Sequence, residues 1–167
     1  IFIKIDKLMD NINIKNENIV AIEIIAENDI PMPKTFNNNS YPKQILDYIN
    51  NNIIEYIEYN ITFINKNIKI YLIYDNKTTI DIYVIIRKIL SVIYFLSQYT
   101  THKCSENLVL YLYLLPLQKE LSKTNNILNE INVNTAFTYS CPIDGEIIIY
   151  RKEEWFKVLI HELFHNL

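Results

Sequence analysis

Two histidines and a glutamate have the spacing His-Glu-x-x-His, as His161, Glu162 and His165. On a helix that turns ~100° per residue, the two histidines project within ~40° of each other and lie about one turn apart, so both imidazoles can reach one metal ion. Neutral imidazole binds Zn²⁺ through nitrogen, and a carboxylate one residue further along can take a proton from water at the metal. The spacing therefore predicts a zinc site with His161 and His165 as ligands and Glu162 as general base.

The residues around this motif predict one amphipathic helix over residues 153–167. With His161 placed at zero, an apolar face falls between roughly 120° and 260°, and we expect this face to enter the core. It consists of Trp155, Phe156, Leu159, Ile160 and Leu163. Val158 is expected on the opposite side, where the histidines face a cleft. Glu153 and Glu154 suit the positive amino-terminal end of such a helix.

The segment Tyr150-Arg-Lys-Glu-Glu-Trp-Phe-Lys-Val-Leu-Ile-His-Glu-Leu-Phe-His-Asn resembles the active-site helix of the zincin metallopeptidases. More narrowly, residues from about 132 onward are similar to a group of uncharacterised metallopeptidases from giant DNA viruses. The resemblance implies a peptidase in which Glu162 moves a proton from water to the leaving amine. In zincins the third zinc ligand follows the helix. Because the chain starts at Ile1 and stops at Leu167, we expect it to be a piece of a longer protein.

A substrate-binding strand is a further implication of the resemblance. Asn134-Thr-Ala-Phe-Thr138 precedes the helix by about the interval at which zincins place their edge strand, and Asn-Ala-Phe occurs there in thermolysin-like members. An exposed edge can hold an extended peptide through main-chain hydrogen bonds. Asn134, Thr135, Ala136 and Phe137 are therefore candidate substrate-binding residues, with an ordinary strand that binds nothing as an equally open interpretation.

Composition restricts the class of protein and its partners. The length of 167 residues suits one domain with a real core, since half of the residues are hydrophobic. The net charge is -3, and no cluster of Lys or Arg stands out, so we expect no nucleic-acid partner. The single glycine, Gly145, argues against a glycine-rich phosphate loop. A peptide or protein substrate is the expected partner, and the oligomeric state stays open.

The two cysteines, Cys104 and Cys141, are too few for a disulfide framework and lack the close spacing of a structural zinc site. We expect free thiols in a reducing compartment, which favours an intracellular location in cytoplasm or virion. His102 and Cys104 are the nearest internal alternative for a metal ligand. A histidine in a surface loop is the preferred interpretation of His102.

Periodicity predicts an α+β fold: a mixed sheet, a buried backing helix and the motif helix, in the order of the upper subdomain of a zincin. Short strands are expected in residues 1–30, and Pro31, Pro33 and Pro42 mark a linker, which separates region 1–42 from a catalytic region 43–167. A helix is expected at 43–52, followed by a hairpin of strands 56–64 and 68–74 that turns at Asn65-Lys-Asn67. A central strand is expected at 108–115. A polar segment at 119–131 and two further strands at 132–138 and 146–150 complete the predicted order. Asp144 and Glu146 are read as turn and strand-end residues.

The apolar stretch at 79–99 is long enough to raise the question of a membrane span. Arg87 and Lys88 lie adjacent near its middle, where each would cost about 2.5 to 3.5 kcal/mol on insertion. A helix packed between a sheet and the surface can extend both cations outward at little cost. The sequence therefore predicts a buried backing helix and no membrane partner.

Three functions remain open at this point. The first is a zinc metallopeptidase, which is the preferred one. The second is a zincin-like binding or virion structural protein without turnover, and the third is a zinc hydrolase with a non-peptide substrate. A Glu, Asp or His at zincin spacing in the following thirty or so residues would favour an enzyme.

Overall fold

The computed structural model describes residues 19–24, 30–34, 43–100, 104–118 and 136–167. Within these ranges the chain forms a six-stranded mixed sheet and three helices, so the predicted α+β class is confirmed. The strands are β1 (Ile19–Ile24), β2 (Ile54–Phe63), β3 (Lys66–Asp75), β4 (Asn107–Tyr113), β5 (Ala136–Thr138) and β6 (Asp144–Ile149). The helices are α1 (Lys43–Asn51), α2 (Ile82–Ser97) and α3 (Trp155–Asn166).

The strand order in the sheet is β1-β2-β3-β4-β6-β5. The first three strands are antiparallel, β3, β4 and β6 are parallel, and β5 returns antiparallel to β6. Strand β4 is buried on both faces, with Leu110 and Leu112 on one side and Tyr111 and Tyr113 on the other. Such burial explains why this strand is a continuous apolar run, and the prediction of a central strand is confirmed.

The hairpin of β2 and β3 is also confirmed, but its turn lies earlier than predicted. Ile64 and Asn65 form a two-residue connection, and Lys66 already belongs to β3. Both turn residues have positive φ, 51° and 60°, as a tight hairpin with right-twisted strands requires. The asparagine tolerates this conformation easily, whereas the β-branched isoleucine is strained in it. Residue propensity therefore predicts a turn at residues 65–67, whereas the pairing of Phe63 with Lys66 places the turn at Ile64 and Asn65.

Helix α2 is the predicted backing helix. Asp81 caps its amino-terminal end by accepting a hydrogen bond from the Val84 amide at 3.1 Å. On its inner face Ile89, Leu90 and Ile93 are completely buried. No helix in the described ranges is both long enough and apolar enough to cross a membrane.

The helices lie on opposite faces of the sheet. Helices α2 and α3 share one apolar cluster with the sheet, in which Ile89, Leu110 and Leu159 are fully buried. Helix α1 packs on the other face through Ile45, with Tyr113 and Tyr150 in the same cluster. The motif helix is therefore supported by both the sheet and the backing helix.

Part of the predicted region 1–42 belongs to the same sheet as the strands of region 43–167. Strand β1 pairs along its length with β2, from Ile19 opposite Ile61 to Ile24 opposite Tyr56. The division into regions 1–42 and 43–167 stays a prediction, as do the other strands expected in residues 1–30. The polar segment 119–131 and the start of the strand at 132–138 lie outside the described residues.

The expectation of free thiols is wrong, because Cys104 and Cys141 form a disulfide bond. The two residues are 37 positions apart in sequence, but their Cα atoms lie 4.6 Å apart. This proximity follows from the parallel pairing of β4 with β6, which places Asn107 opposite Asp144 and brings the preceding loops together. Disulfides persist in oxidising environments, so the thiol argument for an intracellular location no longer applies.

Replacing both cysteines, as C104S/C141S, is expected to lower the free energy of unfolding by about 2–4 kcal/mol, because the bond closes a loop of 37 residues in the unfolded chain. Denaturant unfolding of the variant and of the wild type with and without reductant measures the effect. Reduced wild type should match the variant. An unchanged unfolding midpoint in a sample whose thiols are shown to be reduced would contradict the assignment.

Candidate metal centre

Helix α3 carries the His-Glu-x-x-His motif and begins slightly later than predicted. Its first residue is Trp155, and Glu154 is the N-cap residue, whose side chain makes no capping hydrogen bond. The Glu154 carbonyl instead accepts the first helical bond from Val158 at 3.0 Å. The acidic pair therefore precedes the helix, where a negative charge is favourable.

The buried face of α3 is wider than the sequence predicts. Leu159 and Leu163 are fully buried as expected, and the three other predicted core residues pack partly against the cluster. Val158, which helix geometry places on the side of the histidines, is also buried, at 8% exposure, so the expectation that this side is open is wrong at Val158. The physical reason is that α3 touches both the sheet and α2, and contact on two sides buries a broader arc than a single interface does.

His161 and His165 lie on the remaining open side of the helix, and both are exposed. Their Nε2 atoms are 3.3 Å apart, and the rings meet at 81° with their centroids separated by 4.8 Å. Phe164, which is 57% exposed, lies on the same side. The structure thus brings together the two predicted ligands with both Nε2 atoms converging.

The separation of the two Nε2 atoms fits a shared zinc ion. Two nitrogens bound to one Zn²⁺ at ~2.0–2.1 Å with a tetrahedral angle would be about 3.3–3.4 Å apart. The observed 3.3 Å agrees with this value, and it also lies within reach of a hydrogen bond between the two rings. Imidazole nitrogen is a common Zn²⁺ ligand, so His161 and His165 suit the ion chemically as well as geometrically.

Glu162 stands between the open side of α3 and its buried face, and it is partly buried. Burial raises the pKa of the Glu162 carboxyl above its usual range, while the charges of His161 and His165 act in the opposite direction. The carboxyl group is therefore held close to the histidines in surroundings that are drier than bulk water.

Two histidines are fewer protein ligands than a catalytic zinc usually has. In the part of the chain that the structure describes, no group of three His, Cys, Asp or Glu residues forms around them. Cys104 is ruled out as a thiolate ligand by its disulfide bond. His102 lies outside the described residues.

The candidate substrate strand lies at an edge of the sheet, next to the motif helix. In β5, Ala136 pairs with Ile149 and Phe137 with Ile148, and both β5 residues are partly buried. The other side of β5 is not paired with any strand of the described residues. Asn134 and Thr135, the other two candidates, lie outside those residues.

Asp144 and Glu146, read from the sequence as turn and strand-end residues, belong to β6 and make structural contacts. The Asp144 carboxylate accepts a hydrogen bond from the Asn107 amide group at 2.8 Å. Glu146 is buried, and its Oε1 accepts from the Lys34 main-chain amide at 2.8 Å. Neither contact involves the motif.

Sequence reasoning missed the residues that hold the end of the motif helix. Asn166 follows His165 directly and is fully buried, with hydrogen bonds to Ser105, Thr138 and Tyr139. Gly145 leaves the space for this contact. The sequence offered one signal for this contact: Gly145 is the single glycine of the chain, and a glycine is required where another segment packs directly against the backbone.

Comparison of the chain with protein-family models, with curated proteins and with solved structures gives no match.

Proposed function

We propose that this chain contributes the metal-binding helix and the substrate strand of a zinc-dependent metallopeptidase. The observation that carries the proposal is the 3.3 Å separation of the His161 and His165 Nε2 atoms on the open side of a helix, with Glu162 partly buried beside them. At this separation one tetrahedral ion can bind both nitrogens without a change in either side chain.

Each residue has a separate task in the proposed reaction. His161 and His165 hold Zn²⁺, which when bound supplies Lewis acidity and brings the pKa of water near neutrality. Glu162 takes a proton from the attacking water and returns it to the leaving amine. The Glu162 carboxyl is partly buried and close enough to both histidines for their charges to affect its pKa.

A peptide is the proposed substrate because of where β5 lies. An antiparallel edge strand can accept an extended chain as its next strand, which would align the scissile bond along the edge. Hydrogen bonds connect the end of this strand to the motif helix, as Asn166 donates to Thr138 and to the Tyr139 carbonyl. The proposed binding edge and the helix with the proposed ligands are thus joined by direct hydrogen bonds.

Hydrolysis of a mixed peptide library by the zinc-loaded full-length protein tests the proposal, with products identified by mass spectrometry. Cleavage should stop when a chelator removes the metal and return when zinc is restored. A protein that holds one zinc per chain and cleaves no peptide would contradict peptidase activity and favour a zincin-like binding or virion structural protein. Cleavage of other acyl substrates alone would favour a zinc hydrolase of a different specificity.

A further inference from the structure

Asn166 is fully buried, and both the oxygen and the nitrogen of its side-chain amide are hydrogen-bonded. Its Oδ1 accepts from the Ser105 hydroxyl, and its Nδ2 donates to Thr138 Oγ1 and, at 3.0 Å, to the Tyr139 carbonyl. The Asn166 main-chain carbonyl lies 3.3 Å from the same Ser105 oxygen, whose one proton is directed to the closer Oδ1. These partners belong to two separate parts of the chain: Ser105 to the loop before β4, and Thr138 and Tyr139 to the end of β5 and the residue that follows it.

The orientation of this amide follows from its partners. Thr138 Oγ1 donates its proton to the Glu146 carbonyl at 2.7 Å, so toward Asn166 it can only accept. The Tyr139 carbonyl is also an acceptor, and both therefore require the Nδ2 group. Ser105 supplies the remaining donor to Oδ1. An aspartate at position 166 would retain the acceptor for Ser105 and lose both donors.

The surrounding structure is shaped to admit this network. A Cβ atom at Gly145 would overlap Ser105 Oγ and Asn166 Oδ1, and it would come within 2.8 Å of Ser105 Cβ. Ser105 itself is fully buried and has a positive φ of 49°. Main-chain contact adds a further link, because the Cys141 amide donates to the His165 carbonyl at 3.0 Å.

An apolar residue would fill this position without such demands, since buried polar groups contribute little net stability and are costly when unpaired. A fully paired network does fix the relative position of the elements that it joins. Here those elements are the last turn of α3, which contains His165, and the end of β5, the proposed substrate strand. Small errors in the relative position of substrate and catalytic groups are costly in rate.

We infer that Asn166 is a positioning residue that sets the substrate strand against the metal-binding helix. The inference rests on the proposed peptidase function and adds a specific determinant of peptide binding to it. The Asn166 side chain is fully buried among protein partners, so we assign it no contact with metal or substrate. Its replacement should therefore affect how peptide is placed while the two histidines and Glu162 remain present.

The test compares N166D and T138V, which weaken the same link from its two sides, with N107D as the matched control. Asn107 is exposed and bonds to Asn67 and Asp144 at the same end of the sheet, so N107D places a new carboxylate there, opposite Asp144, at a position that makes neither of its bonds to Asn166. Each full-length protein is measured for zinc content, melting temperature, kcat and KM, and amide hydrogen exchange at Cys141. All kinetics are run well below the lowest melting temperature.

We expect N166D and T138V to keep about one zinc per chain and to lose about 10-fold in kcat/KM, mainly through a higher KM. The double variant should lose no more than the worse single one, because both break the same link. The Cys141 amide should exchange faster in N166D than in N107D, and this result does not depend on activity.

Two results would overturn the inference while leaving the proposed function intact. In the first, the wild type is active and N166D and T138V keep kcat/KM within twofold of it. In the second, the variants have a lower melting temperature and an unchanged KM. If N166D fails to fold, the milder T138V decides by the same criteria. A zinc-loaded wild type that cleaves no peptide would overturn the proposed function and this inference with it.

Discussion

Glu162→Gln is expected to keep zinc and fold while lowering peptide hydrolysis by about 10²-fold or more, because glutamine has the same size and cannot take a proton from water. The melting temperature should stay the same or rise slightly, since a partly buried carboxyl is replaced by a neutral group. The measurement combines zinc content, melting temperature and kcat/KM of the full-length protein.

Glu154→Gln is the matched control for this experiment. Glu154 lies at the N-cap of the same helix and its side chain makes no capping hydrogen bond, so its replacement removes one negative charge near α3 without touching the motif. Activity should be close to that of the wild type. Equal hydrolysis by wild type and by fully metallated Glu162→Gln protein would contradict the role of Glu162.

His161→Ala and His165→Ala are each expected to reduce zinc from about one ion per chain toward zero after dialysis, because a single imidazole leaves too few ligands to retain the ion. Both side chains are exposed, and the fold should therefore change little. Elemental analysis of dialysed protein measures zinc, and the melting temperature reports on the fold.

His102→Ala is the natural control, since the chain has three histidines and only this one lies outside the motif. It should retain zinc fully. Retention of zinc by either motif variant would exclude the proposed ligand pair, and loss of zinc from His102→Ala would identify a ligand that the motif does not include.

The sequence predicts the local features of this site well. Two side chains four residues apart on a helix converge by helix geometry alone, so the approach of His161 to His165 needs no tertiary information. The backing helix, the central strand and the hairpin follow in the same way from periodicity and β-branched runs. Each of these predictions depends on residues that are close together in the chain.

The features that were missed depend on contacts between distant segments. Val158 is buried because α3 touches two neighbours, which a helical projection with one apolar face does not anticipate. The Cys104–Cys141 bond exists because parallel strands bring two loops together. Asn166 resembles an ordinary polar helix end until the positions of Ser105 and Thr138 are known.

The disulfide and the Asn166 network strengthen the same junction. Cys141 is covalently bound to Cys104, and its amide donates to the His165 carbonyl. Ser105, the neighbour of Cys104, bonds to Asn166. His165, a proposed metal ligand, therefore lies at the end of α3 that is tied to both loops by hydrogen bonds. Such an end suits a site whose ligands have to stay in place.

X-ray absorption at the zinc edge of the metallated full-length protein tests the central claim most directly, since it reports the ligands of the bound ion. The account predicts a first shell of nitrogen and oxygen only, with at least two imidazole nitrogens at ~2.0–2.1 Å, and a His161→Ala/His165→Ala double variant that retains no zinc. Sulfur ligands at ~2.3 Å, or zinc that stays bound through imidazole in the double variant, would contradict it.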